Sequence, residues 1–145
     1  TPPHSPETKS SAASDVYKRQ AWGSDNSLAA SFSNYGKSSV DVFAPGVAIY
    51  STAPDNNYKD LQGTSMASPV ISGVAALLLS YYPHLSPIDV KDIILSSSRK
   101  FDGLMVNKPG SKDEQINFSE LSVSGGIVNA YEAVKLADSR SITSQ

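Results

Sequence analysis

Gly63-Thr64-Ser65-Met66-Ala67-Ser68-Pro69 runs directly into residues 70–82, VISGVAALLLSYY, which are apolar on nearly every face as far as Leu79. Such a run predicts a helix buried inside a large core or between layers, because it has no polar face to turn to water. The small residues Ala67, Gly73, Ala75 and Ala76 allow close approach to a sheet. Pro83 ends the helix, since a residue before proline is driven out of the α region. Ser65 therefore stands where a loop becomes a buried helix. There the first backbone N–H groups lack intrahelical partners and form the positive end of the macrodipole. An oxyanion formed beside that serine would meet donors already in place. Gly63 lets a substrate backbone come close, and Pro69 is read as a first-turn proline that costs no hydrogen bond. Position alone leaves a second reading, a serine that only caps the helix, and capping is the commoner role at such a junction.

Working outward, residues 26–34 (NSLAASFSN) read as a short strand, and Asn34-Tyr35-Gly36 as a turn. Val40-Asp41-Val42-Phe43 is β-prone and stops at Ala44-Pro45-Gly46. Residues 47–51 form the next strand candidate, and residues 54–57 a polar loop. Ser86-Pro87-Ile88-Asp89 opens a second helix, with Ser86 as N-cap, Pro87 at the first position and Asp89 closing a capping box. Residues 100–120 read as a polar surface excursion turning at Pro109-Gly110. Asn129 caps a last helix over residues 130–137, and residues 138–145 read as a frayed tail. The opening stretch, residues 1–20 (TPPHSPETKSSAASDVYKRQ), lacks any period of 2 or 3.6 and reads as a disordered, non-native tail outside the fold. His4 lies in it and is given no role.

Composition narrows the function classes. The chain has 145 residues, 39 % of them hydrophobic, which suits one packed domain. A net charge of −2 with no basic stripe argues against nucleic-acid binding. The absence of cysteine removes disulfides, thiolate catalysis and Cys-based zinc sites. No run approaches the roughly 20 apolar residues of a membrane span, and no signal peptide pattern is present.

The seven residues 63–69 resemble the active-site serine motif of the subtilases, G-T-S-M-A-x-P. Ser31-Phe32-Ser33-Asn34-Tyr35-Gly36, Asp41-Val42-Phe43-Ala44-Pro45-Gly46 and Gly126-Ile127-Val128-Asn129-Ala130 resemble further segments of that family, Ser124 replacing the first glycine of the last. The likeness covers about residues 21–137. It implies the C-terminal part of a three-layer α/β/α, mostly parallel sheet, incomplete here, with the missing N-terminal part of the same domain as partner. It implies a serine endopeptidase acting on polypeptides through a Ser-His-Asp triad of which only Ser65 is present. Ser65 would be the nucleophile, with its backbone N–H and the Thr64 hydroxyl serving the oxyanion hole, and Gly63, Leu61 and Met66 would border the substrate cleft. An extracellular or periplasmic location is implied, with no required cofactor and structural calcium possible in the full-length protein.

This chain also departs from the family pattern. Valine stands at position 70, where the family usually has histidine, and neither D-[ST]-G nor H-G-[TH] occurs. His84 reads as a surface residue at a helix C-terminus, too far from Ser65 to be its base. Asp41 reads as a solvated carboxylate rather than a cation ligand, since one carboxylate makes no calcium cage. The isolated chain is therefore expected to be inactive. The competing readings are a non-catalytic subtilase-fold binding module and a structural domain whose serine merely caps.

Overall fold

The computed structural model describes residues 14–17 and 28–143. Its central sheet has the order β1 (Ser14–Tyr17), β2 (Val42–Pro45), β8 (Gly126–Ile127), β5 (Arg99–Lys100). β1, β2 and β8 run parallel, and β5 closes the edge antiparallel to β8. Alternation along β2 sets the two faces. Val42 and Ala44 join a core with α1 (Thr64–Tyr81), α2 (Pro87–Ser96) and α3 (Ala130–Thr143), while Phe43 points into a second core on the opposite side. This is an incomplete α/β sheet, mostly parallel, with its helices on one face.

The helices form where local chemistry places them. α2 starts at Ser86, whose Oγ accepts the Asp89 N–H at 3.2 Å while Asp89 Oδ2 accepts the Ser86 N–H at 2.9 Å, the expected capping box. At α3, Asn129 Oδ1 accepts from the Glu132 N–H at 3.2 Å, also as expected. α3 then continues through Thr143, where a tail was expected. Arg140 holds that last stretch to Asp92 on α2 at 2.8 Å.

Three further expectations are corrected. Ser14–Tyr17 pairs with β2 although it lies within the stretch read as disordered. An open strand edge accepts any extended segment, and Val16 and Tyr17 are β-prone types. The remainder of residues 1–20, His4 included, lies outside the described residues. Secondly, residues 28–34 form no strand beyond an isolated bridge at Ala29. Thirdly, residues 100–120 are not a surface excursion. They fold as a hairpin, β6 (Met105–Asn107) and β7 (Gln115–Asn117), followed by a 3₁₀ turn, Phe118–Glu120. This segment sends Val106 and Phe118 into the second core with Phe43, whose ring lies 4.9 Å from that of Phe118.

Residues 54–57, expected as a plain loop, make the turn of another hairpin, β3 (Ile49–Ala53) with β4 (Asn57–Leu61). Asp55 and Asn56, in the three-residue loop between the paired Ala53 and Asn57, both have positive φ, 64° and 56°, a left-handed conformation that Asp and Asn adopt more readily than other non-glycine residues.

α1 is 18 residues long and by length and composition alone could cross a membrane. In the fold it lies along β1 and β2 and against α2 and α3. Ala67, Ile71, Val74 and Leu78 are buried at helical spacing. Its other faces are open, against the expectation of burial all round: Gly73 and Ala76 are exposed, with Leu77 and Leu79.

Candidate active site

Residues 61–66 are placed by the meeting of β4, β2 and α1. The Gly63 N–H donates to the Gly46 carbonyl at 2.8 Å, which pins the turn to the carboxyl end of β2. In parallel α/β sheets that end is where ligands bind. Gly63 is the N-cap residue of α1 with φ 148° and ψ 164°, a conformation essentially confined to glycine. The Met66 N–H bonds back to the Gly63 carbonyl at 3.0 Å.

Ser65 is thus the second residue of the helix, not its cap, and no side chain caps this end. The capping reading of Ser65 falls here. Ser65 is exposed, and Gly63, Thr64, Met66 and Leu61 beside it are half-buried. The Thr64 and Ser65 N–H groups, ahead of that Met66 bond, have no intrahelical carbonyl to meet, and no acidic residue occupies that turn. Developing negative charge at Ser65 would face the positive end of an 18-residue helix without a competing carboxylate. Pro69 lies deeper than expected, inside the helix rather than in its first turn. Having no N–H, it leaves the Ser65 carbonyl without its helical partner.

The other titratable candidates are elsewhere. His84 follows the C-terminus of α1. At 1.5 Å per residue, that helix puts about 27 Å between its two ends. The His84 ring packs edge-on against Tyr82, and its Nε2 lies 3.4 Å from Ser141 Oγ. Asp41, largely shielded, is paired with Lys91 at 3.0 Å. Among the described residues no three His, Cys, Asp or Glu side chains gather to hold a metal ion.

One feature of the site escaped sequence reasoning. Gln62, next to Gly63, lines a cavity of about 370 Å³ whose other walls include Phe32 and the lysines Lys108 and Lys112 of the 100–120 segment. The lysines flank Pro109-Gly110, the only sequence signal that could have pointed to them. Lys108 bonds Glu114 at 2.7 Å, which raises its pKa above the ordinary lysine value.

Comparison with known proteins gives the ancestry. The family model for the subtilase family matches residues 9–120. Subtilisin DY of Bacillus licheniformis is 51 % identical over 73 residues, covering 50 % of this chain and 26 % of its own length. Serine protease AprX of Bacillus subtilis is 35 % identical over 130 residues, 77 % of this chain and 26 % of its own. The chain thus spans about a quarter of either relative. Among solved structures, the subtilase cytotoxin SubAB assembly superimposes with a TM-score of 0.64 at 23 % identity, over 88 % of this chain and 36 % of the other. The patellamide maturation protease PatA gives a TM-score of 0.54 at 30 % identity, over 74 % and 38 %.

Proposed function

This chain belongs to the subtilase family, and on that premise we propose that it is the C-terminal portion of a serine endopeptidase domain with Ser65 as nucleophile. The observation that carries the reading is the exposed Ser65 in the first turn of α1, fixed at the carboxyl end of a parallel strand by the Gly63–Gly46 hydrogen bond. The family motif at residues 63–69 falls on that turn.

The chemistry is acyl transfer by a Ser-His-Asp triad, an arrangement of which subtilisin is itself a type example. Ser65 Oγ attacks the scissile carbonyl carbon as its proton passes to a histidine held by an aspartate. The carbonyl oxygen becomes an oxyanion, met by the Ser65 backbone N–H and assisted by the Thr64 hydroxyl. Collapse leaves an ester on Ser65 and expels the amine, protonated by the histidine. Water then attacks the ester by the same route. The histidine and aspartate would come from residues outside this chain, since neither of their family motifs occurs in it. Leu61, Gly63 and Met66 would line the cleft beside the reacting carbon. We place the parent protein in the extracellular space or periplasm on the same family grounds.

The test is labelling of the full-length protein by a fluorophosphonate, with a fluorogenic peptide assay alongside. Labelling and hydrolysis should both disappear in Ser65→Ala, the rate falling about 10⁶-fold, as for loss of the nucleophile in subtilisin. The 145-residue chain alone should hydrolyse nothing measurable. A full-length protein that leaves Ser65 unlabelled would instead be a binding module on a subtilase fold.

A further inference from the structure

The cavity beside Gln62 is lined by two lysines and no carboxylate. Its position ties it to the proposed active site. Gln62 and Ser65 are separated by three Cα–Cα steps, so their Cα atoms stand at most about 11 Å apart. A bound peptide advances roughly 3.3 Å per residue, so a side chain within about three residues of the scissile bond can reach this cavity.

The lysine wall is a built feature. The Gly110 N–H donates to the Ser31 carbonyl at 2.9 Å, tying the tip of the β6–β7 hairpin to the segment that carries Phe32. Within the loop, the Lys108 N–H bonds the Glu114 carbonyl at 2.9 Å, and the Glu114 N–H bonds Ser111 Oγ at 3.2 Å. Pro109 is buried. The two cations differ in state. Lys108 is neutralised by Glu114, whose carboxylate lies outside the cavity lining. Lys112 makes no salt bridge among the described residues, and no carboxylate lines the cavity, so its ammonium is the lining cation without an ion-pair partner.

The geometry points to this cavity as a substrate side-chain pocket that selects an acidic residue near the scissile bond, with Lys112 as the specificity-determining cation. The methylenes of a glutamate or aspartate would lie against Phe32 and Val47, with the carboxylate near Lys112 and the Gln62 amide. The inference rests on the proposed peptidase reading and adds the charge class of its substrate.

The experiment uses the full-length protein and peptides in which Glu, Gln or Lys is scanned through three positions on each side of the cleaved bond. At one position kcat/KM for Glu should exceed that for Gln about fivefold, the effect of one solvent-exposed charge pair near 4 Å. In 1 M salt the ratio should fall below about twofold. Lys112→Met should bring it to about one, and Lys112→Glu should favour the Lys peptide. Unchanged fluorophosphonate labelling of Ser65 in both variants shows that the fold and nucleophile are intact. Equal rates for Glu and Gln at every position, or a preference that both variants retain, would overturn the pocket assignment while leaving the peptidase standing. Failure of the wild-type protein to label at Ser65 would remove the peptidase reading and this one with it.

Discussion

The same chemical change, glycine to alanine, is expected to act with opposite sign at two places on α1. Gly63 has φ 148° and ψ 164°, and a Cβ there would meet Met66 Sδ at 3.7 Å and the Ser65 nitrogen at 3.8 Å. These are ordinary contacts, so the cost of Gly63→Ala is backbone strain of about 1–3 kcal/mol. Stiffening of the unfolded chain offsets about 0.4–1 kcal/mol of it, leaving a net loss of about 1–2 kcal/mol. Gly73 is helical and exposed, and a Cβ there would meet nothing within 4 Å. Gly73→Ala in this chain should gain about 0.5–1 kcal/mol from helix propensity. Urea denaturation followed by far-UV circular dichroism would read the difference of roughly 2 kcal/mol between the variants, well above a typical fitting error. The Gly63 variant should also label more slowly with fluorophosphonate in the full-length protein, by tenfold or more, because small displacements of a nucleophile are costly. In that protein Gly73→Ala should lose its benefit if the open face of α1 is covered by the rest of the domain. A Gly63→Ala chain as stable as the wild type would refute the claim that this turn demands glycine.

Two other outcomes follow from the packing and the capping box. Phe118→Ala should destabilise the chain by about 3–5 kcal/mol in thermal or urea unfolding, because Phe118 is fully buried against Phe43 and Phe101. The Asp89 carboxyl is held below the ordinary carboxylate pKa by the Ser86 hydroxyl, which donates at 2.6 Å, and then by the Ser86 N–H. A pKa depressed in the folded state gives stability that is fully present above the unfolded value of about 3.9 and is lost as pH falls through the folded one. Unfolding measured from pH 7 down to pH 3 should therefore steepen below about pH 4 in the wild type and less so in Ser86→Ala.

How much was legible in the sequence depended on the range of the interaction. The capping box of α2, the Asn129 cap of α3 and the stop of β2 at Pro45-Gly46 are set by neighbouring residues, and each was readable. The Ser65 motif was readable for the same reason, since a run of specified residues encodes one turn. The 100–120 segment was misread because its apolar residues are diluted by Lys, Asp and Asn. Even so, Leu104 and Val106, and Ile116 and Phe118, keep a period of two on either side of Pro109-Gly110, and that pattern outlines the hairpin.

The chain's own order of residues determined its ancestry, the serine at the mouth of α1 and the turn that holds it, because these are local arrangements in which each residue constrains the next few. Tertiary structure alone decided which face of α1 is covered, that Asp41 is paired with Lys91, and that lysines from a distant hairpin stand beside Gln62. Those contacts join segments far apart along the chain. No local propensity encodes them, and they exist only once the sheet has fixed where each segment lies.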